Sequence, residues 1–319
     1  MRTLALPTLD EVRAARERIR GVAIRTPLLR LNVDGPAEIW LKCENLQPIG
    51  SFKLRGAGNA MALLSREALE RGVYTASAGN MAQGVAWCAK RLGIPCSVVV
   101  PDHAPEIKTA AIERLGASVL KVPFASWWRV MTEHRHEGMK GTFIHPFSDP
   151  AVLAGNGTIA LEVLEDLPEP DAILVPYGGG GLSTGIATVA RALAPRARVH
   201  ACEVATAAPL AASLAAGAPR TVTYTPSFVD GIGGSGVFEE VWPHARALLA
   251  GSLVVSLEEA ASALRLLVER NRLVAEGAGA VPVAAALRGL EGARTIVCVV
   301  SGGNIDPKKT AAILSGMMP

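Results

Sequence analysis

The chain has 319 residues, half of them hydrophobic and 19% charged, which suits a large core or two domains and excludes a disordered chain. Its 32 Lys and Arg against 29 Asp and Glu leave a net charge of +3. That excess is spread thinly, with no basic block and no aromatic-interleaved basic stripe, so nucleic acid is not an expected partner.

The first stretch, "MRTLALPTLDEVRAARERIRG", mixes acids and arginines before any long apolar run. Neither a secretory signal nor a membrane span is expected there, and a helix is expected over Leu9–Arg20. "AEIWLKCE" alternates as a strand. Strand and helix patterns then alternate down the chain. "GVYTAS" leads into "GNMAQGVAWCAKRLG", "PCSVVVP" into "PEIKTAAIERLG", and "ASVLKVP" into a helix carrying Trp127 and Trp128. "TFIHPF" precedes "DPAVLAGNGTIALEVLEDL", and "DAILVPYGGGG" precedes "LSTGIATVARALAP". The strands "RVHACEV" and "TIVCVV" bracket the helical "VVSLEEAASALRLLVERN". Short apolar strands alternating with helices of this length predict parallel sheets covered on both faces. The preferred reading is α/β with two domains and a cleft between them. The scattered cysteines, Cys43, Cys88, Cys96, Cys202 and Cys298, read as small core residues of a cytoplasmic protein.

Parallel sheets place ligands beyond the carboxyl ends of their strands, so the loops leaving them carry the functional signal. In "VPYGGGGLSTG", Gly178, Gly179, Gly180 and Gly181 follow a buried-looking strand and open a helix. Four residues without Cβ expose successive N–H groups, and the helix N-terminus adds its own, so a bound phosphate is expected. The pattern is neither Walker A nor GxGxxG. Glu203, at the end of the next strand, keeps a nicotinamide enzyme as a rival. "TASAGNMAQG" places Ser77, Gly79 and Asn80 at a strand end, where N–H groups and a hydroxyl suit a carboxylate. "VVSGGN" places Ser301 likewise. His145 in "IHPF" approaches the cleft, and His134 and His136 are read on a helix. No ligand cluster with zinc spacing occurs.

Lys53, in "GSFKLRGAGNA", reads first as a solvated charge at a helix start, with Ser51 as the cap. The phosphate loop changes that reading, because pyridoxal phosphate needs an anchored phosphate and an amine for its aldehyde.

"SFKLRGAGNA", "SAGNMAQG", "GGGGLSTG", "AEGAGA" and "SGGN", in that order, resemble the serine/threonine dehydratase family of fold-type II pyridoxal-phosphate enzymes, which includes serine racemase. The resemblance covers nearly the whole chain. It implies a two-domain fold in which 1–65 and 147–319 bind the cofactor and 66–146 is a small mobile substrate-binding domain. It implies that Lys53 forms the Schiff base and removes the Cα proton, beside Phe52. Asn80 would meet the ring 3-hydroxyl, Gly178, Gly179, Gly180 and Gly181 the phosphate, Ser301 the pyridine nitrogen, and Glu276 would line the cofactor. Ser77, Ala78, Gly79 and Asn80 would hold the substrate carboxylate. The implied activity is β-elimination from L-threonine or L-serine to a 2-oxo acid and ammonia, by a homodimer.

Four departures sharpen or blur this. Ala78 stands where racemases of the family have a serine acid/base, which disfavours racemisation. Met81 replaces a histidine and suits a larger β-substituent, so threo-3-phenylserine is an alternative substrate. At the family's divalent-cation position Glu203 is followed by Pro209 where an acid is usual, so a metal there is doubtful. The chain also ends soon after "SGGN", so no regulatory domain is expected. A noncatalytic binding protein is the remaining alternative, and an intact Lys53 counts against it.

Overall fold

The computed structural model describes residues 3–319; residues 1 and 2, the head of the N-terminal stretch, lie outside the described residues. The strands, in chain order, are β1 Leu28–Arg30, β2 Glu38–Lys42, β3 Val73–Ala76, β4 Cys96–Pro101, β5 Ser118–Val122, β6 Thr142–Phe143, β7 Ala172–Pro176, β8 Arg198–Val204, β9 Gly251–Val255 and β10 Thr295–Val299. They form a six-stranded sheet in the order β1-β2-β10-β7-β8-β9 and a four-stranded sheet in the order β5-β4-β3-β6. Every pairing is parallel except β1 with β2.

The apolar runs explain the layering. β7 is buried at all five positions. Ala172 and Leu174 face one core cluster while Ile173 and Val175 face another, and β10 alternates in the same way through Ile296, Cys298 and Val297, Val299. A strand buried on both faces must lie inside a sheet covered twice. The small sheet repeats this, with Val98 and Val100 on one side and Val99 on the other. Its larger core also takes in Leu54, Ala57 and Met61 from the helix Lys53–Ala62, so that helix serves the small sheet as well as the large one.

Several expectations meet differences. The edge strand β1 is three residues long and largely exposed, too short to show a period. The helix with Trp127 and Trp128 ends at Glu133; His134 caps it in a left-handed conformation at φ 58°, so His134 and His136 do not share a helix. Ser51 does not cap the helix at Lys53. Phe52 holds that position, while Ser51 bridges to Gly302 across the sheet ends. Among the described residues no helix is long and apolar enough to cross a membrane.

The strand orders place the cleft. In the large sheet the chain returns to insert β10 between β2 and β7; in the small sheet β6 returns to the far side of β3. These reversals are crevices where loops diverge from the carboxyl ends of neighbouring strands, the usual ligand position in such sheets. The loops leaving β2, β10, β7, β3 and β6 carry Lys53, Ser301, the glycine run, Asn80 and His145, respectively.

Candidate active site

The helix Lys53–Ala62 begins without a side-chain cap, so Lys53 stands in its first turn, where a positive charge is disfavoured. Its Nζ lies 5.1 Å from the Phe52 ring centroid and donates to the Pro146 carbonyl at 2.8 Å. Burial is the main influence on this amine. It pushes the pKa down to about 8, and the carboxylate of Glu276 opposes the shift.

Glu276 is the matching acid. It is buried in front of the helix Gly277–Leu287, where removal from water pushes its carboxyl up to about 7 against a lowering contribution from Asn80. Asn80 Nδ2 donates to Oε1 and Oε2 at 2.9 and 3.1 Å. Asn80 Oδ1 accepts from Asn304 Nδ2 at 2.8 Å, and the same nitrogen reaches the Ile49 carbonyl at 2.8 Å. The amide of Asn80 is thereby fixed in one orientation, with Nδ2 on Glu276 and Oδ1 on Asn304. Asn304 belongs to the "SGGN" run, but only the fold shows that it ties Asn80 to the turn before Lys53.

The glycine run wraps the turn at Phe147. A Cβ on Gly179 would sit 2.3 Å from Phe147 Cδ1, and one on Gly181 would sit 2.5 Å from the Phe147 carbonyl oxygen. Gly180 takes φ +85°, which side chains rarely adopt. Among the described residues the N–H groups of Gly178, Gly179 and Gly180 have no acceptor. The buried hydroxyls of Ser148 and Thr184, beside that turn and in the first turn of the following helix, have no partner either.

The other expected residues are placed as follows. Ser301 is buried after β10, and its carbonyl accepts from the N–H of Phe52 at 3.0 Å. Ser77 Oγ accepts from the N–H of Gly79 at 3.1 Å. Gly79 and Asn80 line a cleft of about 420 Å³ together with Glu276, Lys108 and Asp230. Ala78 packs partly against the small sheet. Met81, 1% exposed, joins the core of the small sheet rather than the cleft wall. Glu203 is buried with both oxygens engaged, by the N–H groups of Leu210 and Ala211 at 2.9 and 2.8 Å and by Ser252 Oγ at 2.6 Å. It caps the helix Pro209–Ala216 from within.

Under the lysine lies a charge network that sequence reading missed, although "SFKLRG" contains its centre. Arg55 is 1% exposed and grips Glu44 through Nε and Nη2, both at 2.8 Å, and Glu162 through Nη1 and Nη2 at 2.7 and 2.8 Å. Lys42 Nζ donates to Glu162 at 2.5 Å. Burial alone would raise the Glu44 carboxyl, but Arg55 more than offsets this and holds it below its ordinary range. The two cations and two anions compensate each other inside the protein, pinning the helix of Lys53 to β2 and to the helix Pro150–Asp166.

A run of loop N–H groups without acceptors, a depressed amine and convergent polar groups in an α/β crevice define a cofactor-dependent enzyme site. The profile of pyridoxal-phosphate dependent enzymes matches residues 19–302, and the chain belongs to that family. Its cofactor is pyridoxal 5'-phosphate and its fold is fold-type II. An L-threonine ammonia-lyase from Thermotoga maritima is 40% identical over 310 residues, 94% of this chain and 76% of that one. Another from Geobacter sulfurreducens is 44% identical over 280 residues, 86% of this chain and 69% of that one. The crystal structure of serine racemase from Dictyostelium discoideum superposes with a TM-score of 0.86 at 35% identity, covering 95% of this chain and all of that one.

The residues present fit that cofactor. Three unpaired loop N–H groups and two partnerless hydroxyls suit a phosphate dianion, and a partly buried primary amine suits an aldehyde.

Proposed function

We propose that the protein is a pyridoxal-phosphate dependent L-threonine (or L-serine) ammonia-lyase, with Lys53 as the cofactor-bearing catalytic residue. The observation that carries this is the Lys53 amine held on the Pro146 carbonyl at 2.8 Å, one residue from the Phe147 turn that the glycine run wraps. The ammonia-lyases similar to this chain support the reaction class.

In this reading Gly178, Gly179, Gly180 and Gly181 bind the phosphate through backbone N–H groups, Asn80 meets the ring 3-oxygen through its amide, and Phe52 and Glu276 line the ring. Ser301 meets the pyridine nitrogen. Ser77, Ala78, Gly79 and Asn80 receive the substrate carboxylate at the start of the helix Asn80–Leu92. Bound pyridoxal phosphate supplies an electron sink for the Cα–H bond. Lys53, neutral in good part near pH 8, accepts the Cα proton. Lys53 then returns that proton to the departing β-hydroxyl as the Cβ–O bond breaks, so that water leaves, and the released enamine becomes an imine that water hydrolyses to a 2-oxo acid and ammonia. Cleft closure keeps solvent from the reacting centre until release.

Ala78 offers no proton to the second face of Cα, which favours elimination over racemisation. Met81, which suggested a larger substrate such as threo-3-phenylserine, lies in the core and lends that substrate no support. We also propose that 1–65 and 147–319 act as the cofactor-binding unit and that 66–146 moves to close the cleft. A cytoplasmic homodimer completes the reading, with free, buried cysteines as support for a reducing compartment and sedimentation as its check.

The experiment is a panel of L-threonine, L-serine and L-threo-3-phenylserine with the pyridoxal-phosphate-loaded protein, read by release of 2-oxo acid. Threonine or serine turnover well above phenylserine is expected. No 2-oxo acid from either would overturn the proposal.

A further inference from the structure

The turn after β6 touches both halves of the site, yet no role is given to the residue that holds it. The Pro146 carbonyl receives Lys53 Nζ at 2.8 Å, and the next residue, Phe147, is the surface against which Gly179 and Gly181 pack. What fixes this turn is His145, 1% exposed. Its Nδ1 accepts from the N–H groups of Phe147 and Ser148 at 3.2 and 2.7 Å, and its Nε2 lies 3.1 Å from the Met131 carbonyl. An Nδ1 that accepts two N–H groups carries no proton, so Nε2 is the protonated nitrogen and donates to Met131. The ring is further held by Phe147 at 4.6 Å edge-on and by His134 stacked at 4.1 Å. His134 in turn reaches Glu240 at 3.1 Å.

His134, His145 and Glu240 offer ligand atoms within 4.8 Å of one another, a spacing open to a metal ion. Two observations count against that use. Both His145 nitrogens serve backbone groups, and the rings stack at 26°, which sets their in-plane lone pairs side by side rather than on a common point. Glu240, from the range 147–319, instead braces the turn through His134.

We propose that His145 is a positioning residue for the reaction: its Nδ1 sets the turn so that the Pro146 carbonyl holds the free Lys53 amine in line and the Phe147 backbone seats the glycine run. The inference rests on Lys53 as the cofactor-bearing residue. It goes further in assigning the acceptor that orients this amine whenever it is free.

The test compares His145→Asn with His145→Gln. Asn places Oδ1 on Cγ, where Nδ1 stands, and can accept from both N–H groups; Gln places its amide one bond farther out, near Nε2. Cofactor-free protein is mixed with pyridoxal phosphate and uptake is followed by visible absorption, then kcat and KM are measured on the loaded protein. His145→Asn is expected within about threefold of wild type in uptake rate and kcat, whereas His145→Gln loses about 100-fold in kcat with KM little changed, the scale of a misplaced catalytic group. Equal behaviour of the two variants, or losses that merely follow their melting temperatures, overturns the proposal. If neither variant folds, nitrogen NMR of the wild-type ring decides: an unprotonated Nδ1 is expected, and a protonated Nδ1 overturns it. Wild-type protein that fails to load tests the Lys53 reading alone, because the ring tautomer is read without cofactor.

Discussion

Glu276, which is buried, and Lys53, which is half-buried, are ionisable groups whose protonation sets both stability and chemistry. Without cofactor the folded Glu276 holds its proton to about pH 7, against 4.5 in the unfolded chain. The folded state therefore binds more protons between those values, and this stabilisation is full below pH 4.5 and lost as pH rises to 7. Lys53 works in the window between 8 and 10.5, where the unfolded chain binds more protons, so stability falls as pH drops through it. Glu276→Gln, which cannot ionise, should make the cofactor-free protein more stable than wild type by about 2 kcal/mol near pH 8 and change little near pH 4. Urea denaturation at the two pH values checks this, and parallel pH slopes for variant and wild type would contradict it. Ala78 is the other residue with a clear chemical consequence. Ala78→Ser adds a hydroxyl beside Ser77, and the ratio of racemisation to elimination on L-serine should rise about tenfold. A ratio unchanged under chiral chromatography would show that this face of Cα is not reached from residue 78.

At the scale of elements, the site depends on how the helix Lys53–Ala62 and the glycine run are seated. The helix is locked by Arg55 between Glu44 and Glu162. Arg55→Met leaves two buried carboxylates facing only Lys42, and a loss of about 3–5 kcal/mol in chemical denaturation is expected. A loss under 1 kcal/mol would mean that water enters the network readily. In the glycine run, Gly181→Ala drives a methyl into the Phe147 carbonyl, which is backbone and cannot yield easily. Pyridoxal-phosphate affinity should fall at least tenfold and the melting temperature of the cofactor-free protein should fall with it, and unaltered affinity in a fluorescence titration would show that the turn gives way. The glycine run was legible in the sequence as a local pattern with a chemical reason, whereas Lys53 reads alone as a solvated charge and stood out only once that run and the ordered motifs were set beside it. Arg55 and Asn304 were not, since Arg55 finds Glu162 and Asn304 finds Asn80 only across long stretches of chain, and His145 was expected near the cleft without its hold on the turn. His145 acts on its own backbone through a turn that no period announces. Met81 was misplaced for a related reason: a methionine after a conspicuous motif looks like a pocket wall until the helix phase turns it inward.

Across the whole molecule, the range 66–146 is joined to the rest by the core it shares with the helix Lys53–Ala62 and, at the cleft side, by a few polar contacts. Lys108 meets Asp230 at 2.8 Å over the mouth, Asn80 meets Glu276, and His134 meets Glu240. The first pair is more than one-third exposed, so it contributes little to stability, and in the proposed closing motion it would bias the closed state. Lys108→Ala should raise KM about threefold at low salt, and the effect should shrink as salt screens the pair in the wild type. KM values that match at every ionic strength would remove the pair from the closing motion. The doubly covered sheets were readable from alternating strand and helix patterns, whereas the return of β10 and β6 into their sheets, which makes both crevices, depends on pairing far along the chain. The central claim is that Lys53 carries the cofactor between these crevices. Borohydride reduction of the yellow, pyridoxal-phosphate-loaded protein, followed by protease digestion and peptide mass spectrometry, tests it most directly. The pyridoxyl group is expected on Lys53, with the visible band abolished; a label on another lysine, or none, would contradict the account.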